Sequence, residues 1–242
     1  MKKSLLIACL SLFVLGAGAQ KTAVVNDPNA EVRQVAGFHS IKVSSAFDVY
    51  LTQANEDAVA VSASKQEYKN NIVVQVKDGI LYVDYDHPKK WKGWNSGKMD
   101  LKVYISFKSI KKLGASGACN VHVLTTLKAD EFTLDFSGAT DMKNADIQVN
   151  KLNVELSGAS DIQIKGKATD LKINCSGASE FKSIDFQTDY CDIEASGASS
   201  IQITVNKEIS ARVSGASDIK YKGEGTVRNI KTSGASSISR KS

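Results

Sequence analysis

The chain has 242 residues, with 31 lysines and arginines against 26 aspartates and glutamates and an apolar share of 42%. That apolar share excludes wholesale disorder, and the small charge excess does not call for nucleic acid as a partner. Four cysteines without a Cys-x-x-Cys pair and three scattered histidines exclude a recognisable metal site, and no cofactor is expected.

The chain opens Met1-Lys2-Lys3, continues through an apolar stretch from Leu5 to Leu15 and reaches Ala17-Gly18-Ala19 before Gln20. This layout predicts a signal peptide over residues 1–19 and an exported protein. A transmembrane helix needs about 20 apolar residues, and neither this stretch nor any later one supplies them, so no transmembrane segment is expected. Leu6-Ile7-Ala8-Cys9 loosely fits a lipoprotein signal but sits too early in the apolar stretch, so lipidation is not expected. Removing residues 1–19 leaves 29 basic against 26 acidic residues. Residues 20–31 read as a flexible N-terminal segment.

Residues 32–112 read as a β-rich region continuous with the repeats that begin at residue 113. Strands are expected at Val59 to Ala63, Ile72 to Lys77, Ile80 to Tyr85 and Leu101 to Phe107, with Lys77-Asp78-Gly79 as a hairpin turn. Ser44-Ser45-Ala46-Phe47-Asp48-Val49-Tyr50-Leu51 matches a later repeat in pattern and predicts a degenerate first copy. The larger side chains here, Phe38, Phe47, Tyr50, Tyr82, Tyr85 and Tyr104, predict a thicker layer that closes one end of the molecule. Between Asp86 and Met99 the strand rhythm breaks, and both tryptophans lie among lysines. Lys89, Lys90, Trp91, Lys92 and Trp94 are therefore the candidate ligand-binding residues, suited to an acidic glycan or an acidic protein partner. The competing reading folds the two indoles back onto the core.

From residue 113 to 238 the tripeptide Ser-Gly-Ala occurs seven times, with glycines at 117, 138, 158, 177, 197, 215 and 234. Large apolar residues alternate around each copy, as at Leu152, Val154, Leu156, Ile162 and Ile164, which is a strand signature. Each repeat thus predicts a strand, a tight bend, a second strand and a short polar connection such as Lys165-Gly166-Lys167. One unit buries its apolar row only against the next. The fold class expected is all-β: a right-handed parallel β-helix with a β-rich N-terminal capping region. Val154, Ile173 and Ile193 should share one internal column. Residues 239–242 form a tail. Cys175 and Cys191 take core positions and read as inert. Two residues after each glycine stand Cys119, Thr140, Ser160, Ser179, Ser199, Ser217 and Ser236, small residues expected to hydrogen-bond along the stack.

The series Val35-Ala36-Gly37-Phe38-His39-Ser40-Ile41-Lys42-Val43, then Phe47-Asp48-Val49-Tyr50-Leu51, then the Ser-Gly-Ala copies resembles the head GIN domain family of auto-transporter adhesins, over roughly residues 32 to 238. The resemblance implies a β-helical protein of the gram-negative envelope, in the periplasm or at the cell surface, with no established enzymatic activity and no agreed functional residues to carry over.

Asp141 and Asp161 recur at one repeat position and offer the best enzyme case, a carboxylate pair for glycan cleavage. The same column continues as Glu180, Ser200, Asp218 and Ser237, which reads as a solvated polar row. The protein is expected to be no enzyme but a binding or adhesion module for glycan or protein. A purely structural envelope scaffold is the alternative, and self-association is open to it.

Overall fold

A computed structural model describes residues 26–87 and 98–241; the expected signal peptide lies outside them. In chain order the first elements are β1 (Glu31–Arg33), β2 (Ser40–Val43), β3 (Asp48–Gln53), β4 (Ala58–Ser62), the short helix α1 (Gln66–Asn70), β5 (Ile72–Lys77), β6 (Ile80–Tyr85) and β7 (Lys102–Phe107). Next come β8 (Lys112–Ala115), β9 (Asn120–Val123), β10 (Leu127–Phe136), β11 (Asp141–Leu156) and β12 (Asp161–Cys175). The last are β13 (Glu180–Ala195), β14 (Ser200–Val213), β15 (Asp218–Lys222), β16 (Thr226–Thr232) and β17 (Ser237–Arg240).

Alternation of apolar and polar residues puts one side of every strand in the core. Leu152, Val154 and Leu156 are buried while Asn153 and Glu155 point outward. Parallel pairing then repeats the inward row from turn to turn, as Leu113, Leu134, Val154, Ile173, Ile193 and Ala211. The sequence repeat predicts this column, and each aliphatic member buried in it contributes about 1.5 to 3 kcal/mol relative to exposure. The result is a parallel β-solenoid.

Two long strand ladders meet at each bend. Ladder A runs β5, β6, β2, β8, β10, the C-terminal parts of β11 to β14, and β16. Ladder B runs β1, β4, β7, β3, β9, the N-terminal parts of β11 to β14, then β15 and β17. The short polar connection expected at Lys165-Gly166-Lys167 is instead part of a third side. Gly166 pairs with Ile147 and Phe186, and Lys167 with Gln148 and Gln187, so Lys165-Gly166-Lys167 lies inside the continuous strand β12. Backbone groups here find partners on the adjacent turns, which removes the need for a loop.

At the bends the stacking direction dictates the residue. Gly177 has φ +73°, and a Cβ there would stand 2.5 Å from the Gly158 carbonyl oxygen, so a side chain is excluded twice over. Ser45 occupies the same place in the first copy, with φ +75°. Its neighbour on the next turn, Gly117, packs on the Ser45 backbone. Ser45 itself faces the cap, where its Oγ donates to Asp84 Oδ1 at 2.6 Å. Serine is tolerated there because no earlier bend lies in its way.

The first copy is not the outermost layer. β6 and β7 come later in the chain yet lie outside β2 and β3, which are sandwiched between them and β8 and β9. Antiparallel β5 on β6, β4 on β7 and β1 on β4 then close this end. Asp78 and Gly79 have φ of 52° and 72°, the double left-handed turn that a two-residue hairpin requires. Phe38, Phe47 and Tyr85 fill the closing layer as expected. Tyr50, Tyr82 and Tyr104 do not: they sit at outward positions of their strands, half-buried.

Candidate binding surface

The outward positions of ladder A form parallel columns of polar side chains, spaced about 4.8 Å along the coil axis. One column reads Asp135, Glu155, Asn174, Glu194, Arg212 and Lys231. The next reads Thr133, Asn153, Lys172, Asp192, Ser210 and Asn229. Carboxylates, amides and cations thus alternate along lines parallel to the axis. Arg212 pairs with Glu194 at 3.3 Å and Arg228 with Glu208 at 3.1 Å, both in solvent, so these pairs add little stability and leave their outer groups accessible.

Two adjoining depressions lie on this face and share Arg212. The larger, about 670 Å³, is lined by Glu155, Asn174 and Glu194 and by the first serine of successive Ser-Gly-Ala bends, Ser157, Ser176, Ser196, Ser214 and Ser233. Asn174 Oδ1 is buried there without a hydrogen-bond partner. A lone buried acceptor is costly. The smaller, about 490 Å³, is lined by Asn153, Asp170, Lys172, Asp192 and Tyr190. Tyr190 is 43% exposed, with the Lys207 ammonium 5.5 Å from its ring centroid. An exposed ring among planar polar groups can stack on an apolar ligand face while its neighbours hydrogen-bond the ligand edge.

The sequence-based candidates Lys89, Lys90, Trp91, Lys92 and Trp94 lie outside the described residues. The acidic column stacks as read: Asn120, Asp141, Asp161, Glu180, Ser200, Asp218 and Ser237 are in register. Lys143 holds Asp141 at 3.1 Å, Lys220 holds Asp218 at 2.7 Å, and Lys182 holds Glu180. Asp161, with Gln163 in the corresponding place, has no such lysine. Partial burial and the flanking Glu180 and Asp141 carboxylates push its pKa above the ordinary value. Among the described residues no group of histidine, cysteine, aspartate and glutamate could hold a metal ion.

The small residues two after each glycine mostly close their own bends, and the expected bonding along the stack is met at some of them. Ser160 Oγ donates to Ser157 O at 3.0 Å, Ser179 to Ser176 O at 2.9 Å and Ser199 to Ser196 O at 2.8 Å. These hydroxyls close their own bends rather than bond along the stack, because the carbonyl three residues back is the nearest acceptor inside the core. Three members also reach the preceding turn: Ser217 at Gly197 O, 3.5 Å away, Ser236 at Val213 O, 3.3 Å, and Cys119 Sγ at Ser45 O, 3.6 Å. Among the described residues Cys119, Cys175 and Cys191 are buried and form no disulfide. Burial pushes the Cys175 thiol up to about 12 and the Cys191 thiol higher still, which fits inert core residues.

Tyr190 and the aromatic stack on ladder B escape sequence reading. Tyr50 stacks on Tyr104 at 5.0 Å and on His122 at 4.9 Å, with Tyr104 Oη donating to Asp27 Oδ2 at 2.9 Å. Burial and the Asp27 carboxylate push the Tyr104 hydroxyl well above its ordinary value. A period-two alternation shows that these rings point outward. Which rings become neighbours depends on the β7–β3–β9 order.

Solved structures of other proteins share this fold. A protein from Bacteroides fragilis NCTC 9343 described as a "putative adhesin" is 22% identical with a TM-score of 0.78, over 87% of this chain and 95% of the other. A second "putative adhesin", from Parabacteroides distasonis ATCC 8503, is 18% identical with a TM-score of 0.69, over 87% and 95%. A "putative lipid binding protein" from the same organism is 20% identical with a TM-score of 0.64, over 88% and 97%. These likenesses establish the shared fold. A comparison with curated proteins gives no match. The family model described as "Putative auto-transporter adhesin, head GIN domain" matches residues 37–225, and the chain belongs to that family.

Proposed function

We propose that this protein is an exported, non-enzymatic adhesion module of the cell envelope that binds an extended glycan along the outward side of ladder A. The observation that carries the reading is the exposed Tyr190 ring set among Asn153, Asp170, Lys172 and Asp192 in the smaller depression. A sugar ring has an apolar face for the phenol ring and hydroxyls for carboxylates and amides. The polar columns continue from turn to turn, so a chain of sugars would meet similar groups along its length. Export is supported by the layout of residues 1–19.

Catalysis is disfavoured by the same chemistry. The stacked serines lie in the core and spend their hydroxyls on backbone carbonyls, and Asp141 and Glu180 are held by lysines. A glycan array followed by calorimetry with Tyr190→Ala tests the proposal. Binding by the wild type and at least about tenfold weaker binding by the variant, with an unchanged melt, is expected. An array without any binding glycan, or a variant that binds as the wild type does, overturns it.

A further inference from the structure

We propose that copies of this chain stack head to tail, with β16 and β17 of one copy meeting β5 and β1 of the next. Each ladder has two free edges among the described residues. Ladder A ends in β5 at the capped end and in β16 at the other; ladder B ends in β1 and β17. The free edges at the two ends therefore lie on the same two sides of the coil. Their lengths match: β5 has 6 residues and β16 has 7, and β1 has 3 and β17 has 4.

Among the described residues no strand pairs with the outer edges of β16 and β17. All seven residues of β16 are exposed. Ile230 continues the internal column beyond Ala211 yet is 37% exposed, and Val227 is 49% exposed. The opposite end offers Val73, 40% exposed, on β5 and Val32, 43% exposed, on β1. Unpaired strand edges flanked by apolar side chains are templates for further pairing.

Charge selects the occupant. From residue 222 to 241 the bases Lys222, Arg228, Lys231, Arg240 and Lys241 face the single acid Glu224. At the cap, residues 26–38 and 54–79 carry six acids, Asp27, Glu31, Glu56, Asp57, Glu67 and Asp78, against four bases. Two basic ends repel each other, so tail-to-tail pairing is disfavoured, whereas tail on head brings opposite charges together. Such a contact is heterologous and does not close, so it builds a filament rather than a dimer. The sides of the coil stay open, and copies of the ladder A surface would recur along the axis, which multiplies weak binding into avidity.

Sedimentation of the purified protein from micromolar to millimolar concentration tests the proposal. The expected result is a mass that grows without a dimer ceiling and falls as salt rises. Ile230→Lys at one end and Val73→Lys at the other should each weaken association by at least about tenfold. Both edge variants should keep the wild-type melt, and an equimolar mixture of the two should stop at dimers, since each retains one working end. A protein that stays monomeric throughout overturns the proposal. So does a ceiling at the dimer, or association that Ile230→Lys abolishes and Val73→Lys leaves untouched, the pattern of tail-to-tail pairing. Because the edges are remote from Tyr190, failure here leaves the glycan reading standing, and the reverse also holds.

Discussion

The Gly158 carbonyl oxygen fills the place where a side chain on Gly177 would begin, 2.5 Å from the ideal Cβ. The same oxygen accepts the Ala178 amide at 2.8 Å, so it cannot retreat without breaking a ladder bond. Gly177→Val should therefore cost at least about 3 kcal/mol, from strain at a positive φ together with a backbone clash. Ser45→Gly should change stability by less than about 1 kcal/mol, because Ser45 has no bend before it. Denaturant unfolding of both variants checks the contrast, and equal losses would show that stacking direction does not govern the bend.

The two kinds of bend serine should separate in the same assay. Ser179 is buried and donates to Ser176 O at 2.9 Å, so Ser179→Ala should cost about 1 kcal/mol. Ser196 lies exposed on the larger depression, and Ser196→Ala should leave stability within about 0.5 kcal/mol.

Cysteine burial sets an alkaline limit. In the unfolded chain a thiol ionises near its ordinary 9.0, whereas the folded Cys175 holds its proton up to about 12. The folded state therefore binds more protons between these values, and stability, full below pH 9.0, falls as pH rises through the window. Cys175→Ala should flatten that fall, and a thiol reagent at pH 8 should label neither Cys175 nor Cys191 before unfolding. Rapid labelling of the native protein would contradict the burial argument.

Asp161 is pushed in the same direction by burial and then by Glu180 and Asp141. Its raised pKa means that ionisation opposes folding: its contribution is full below the unfolded value and is lost as pH rises past it. Asp161→Asn at pH 7 should stabilise the protein by a few tenths of a kcal/mol, less at high salt because the site is partly solvated. The same variant should abolish no polysaccharide-cleaving activity. A loss of stability would show that a favourable partner of the carboxylate has been overlooked.

The segment Lys89-Lys90-Trp91-Lys92-Gly93-Trp94 is proposed as a second contact, for an acidic glycan or protein. Trp91→Ala with Trp94→Ala should remove most affinity for such a ligand at any salt and leave the melt unchanged, while salt alone should weaken the lysine contribution. A large fall in melting temperature with unchanged binding would assign the indoles to the core instead.

How much of the molecule was legible in one dimension depends on the kind of order involved. The alternation around each Ser-Gly-Ala determined that Val154, Ile173 and Ile193 point inward, and the near-constant interval determined that they stack. The repeat translates along the coil, so the tertiary neighbour of a residue is its counterpart about 20 positions away. Ser45 was recognisable as a bend for the same reason. The capped end obeys no such translation. That β2 and β3 lie between β6–β7 and β8–β9, that Tyr104, Tyr50 and His122 become one stack, and that Ser45 finds Asp84 all depend on strand order. Strand order is set by which edge each segment finds open as the end closes. Tyr190 carried no signal of its own in the sequence. The role proposed for it depends on the depression that five adjacent turns make together, a property of the stacked surface that no single repeat contains.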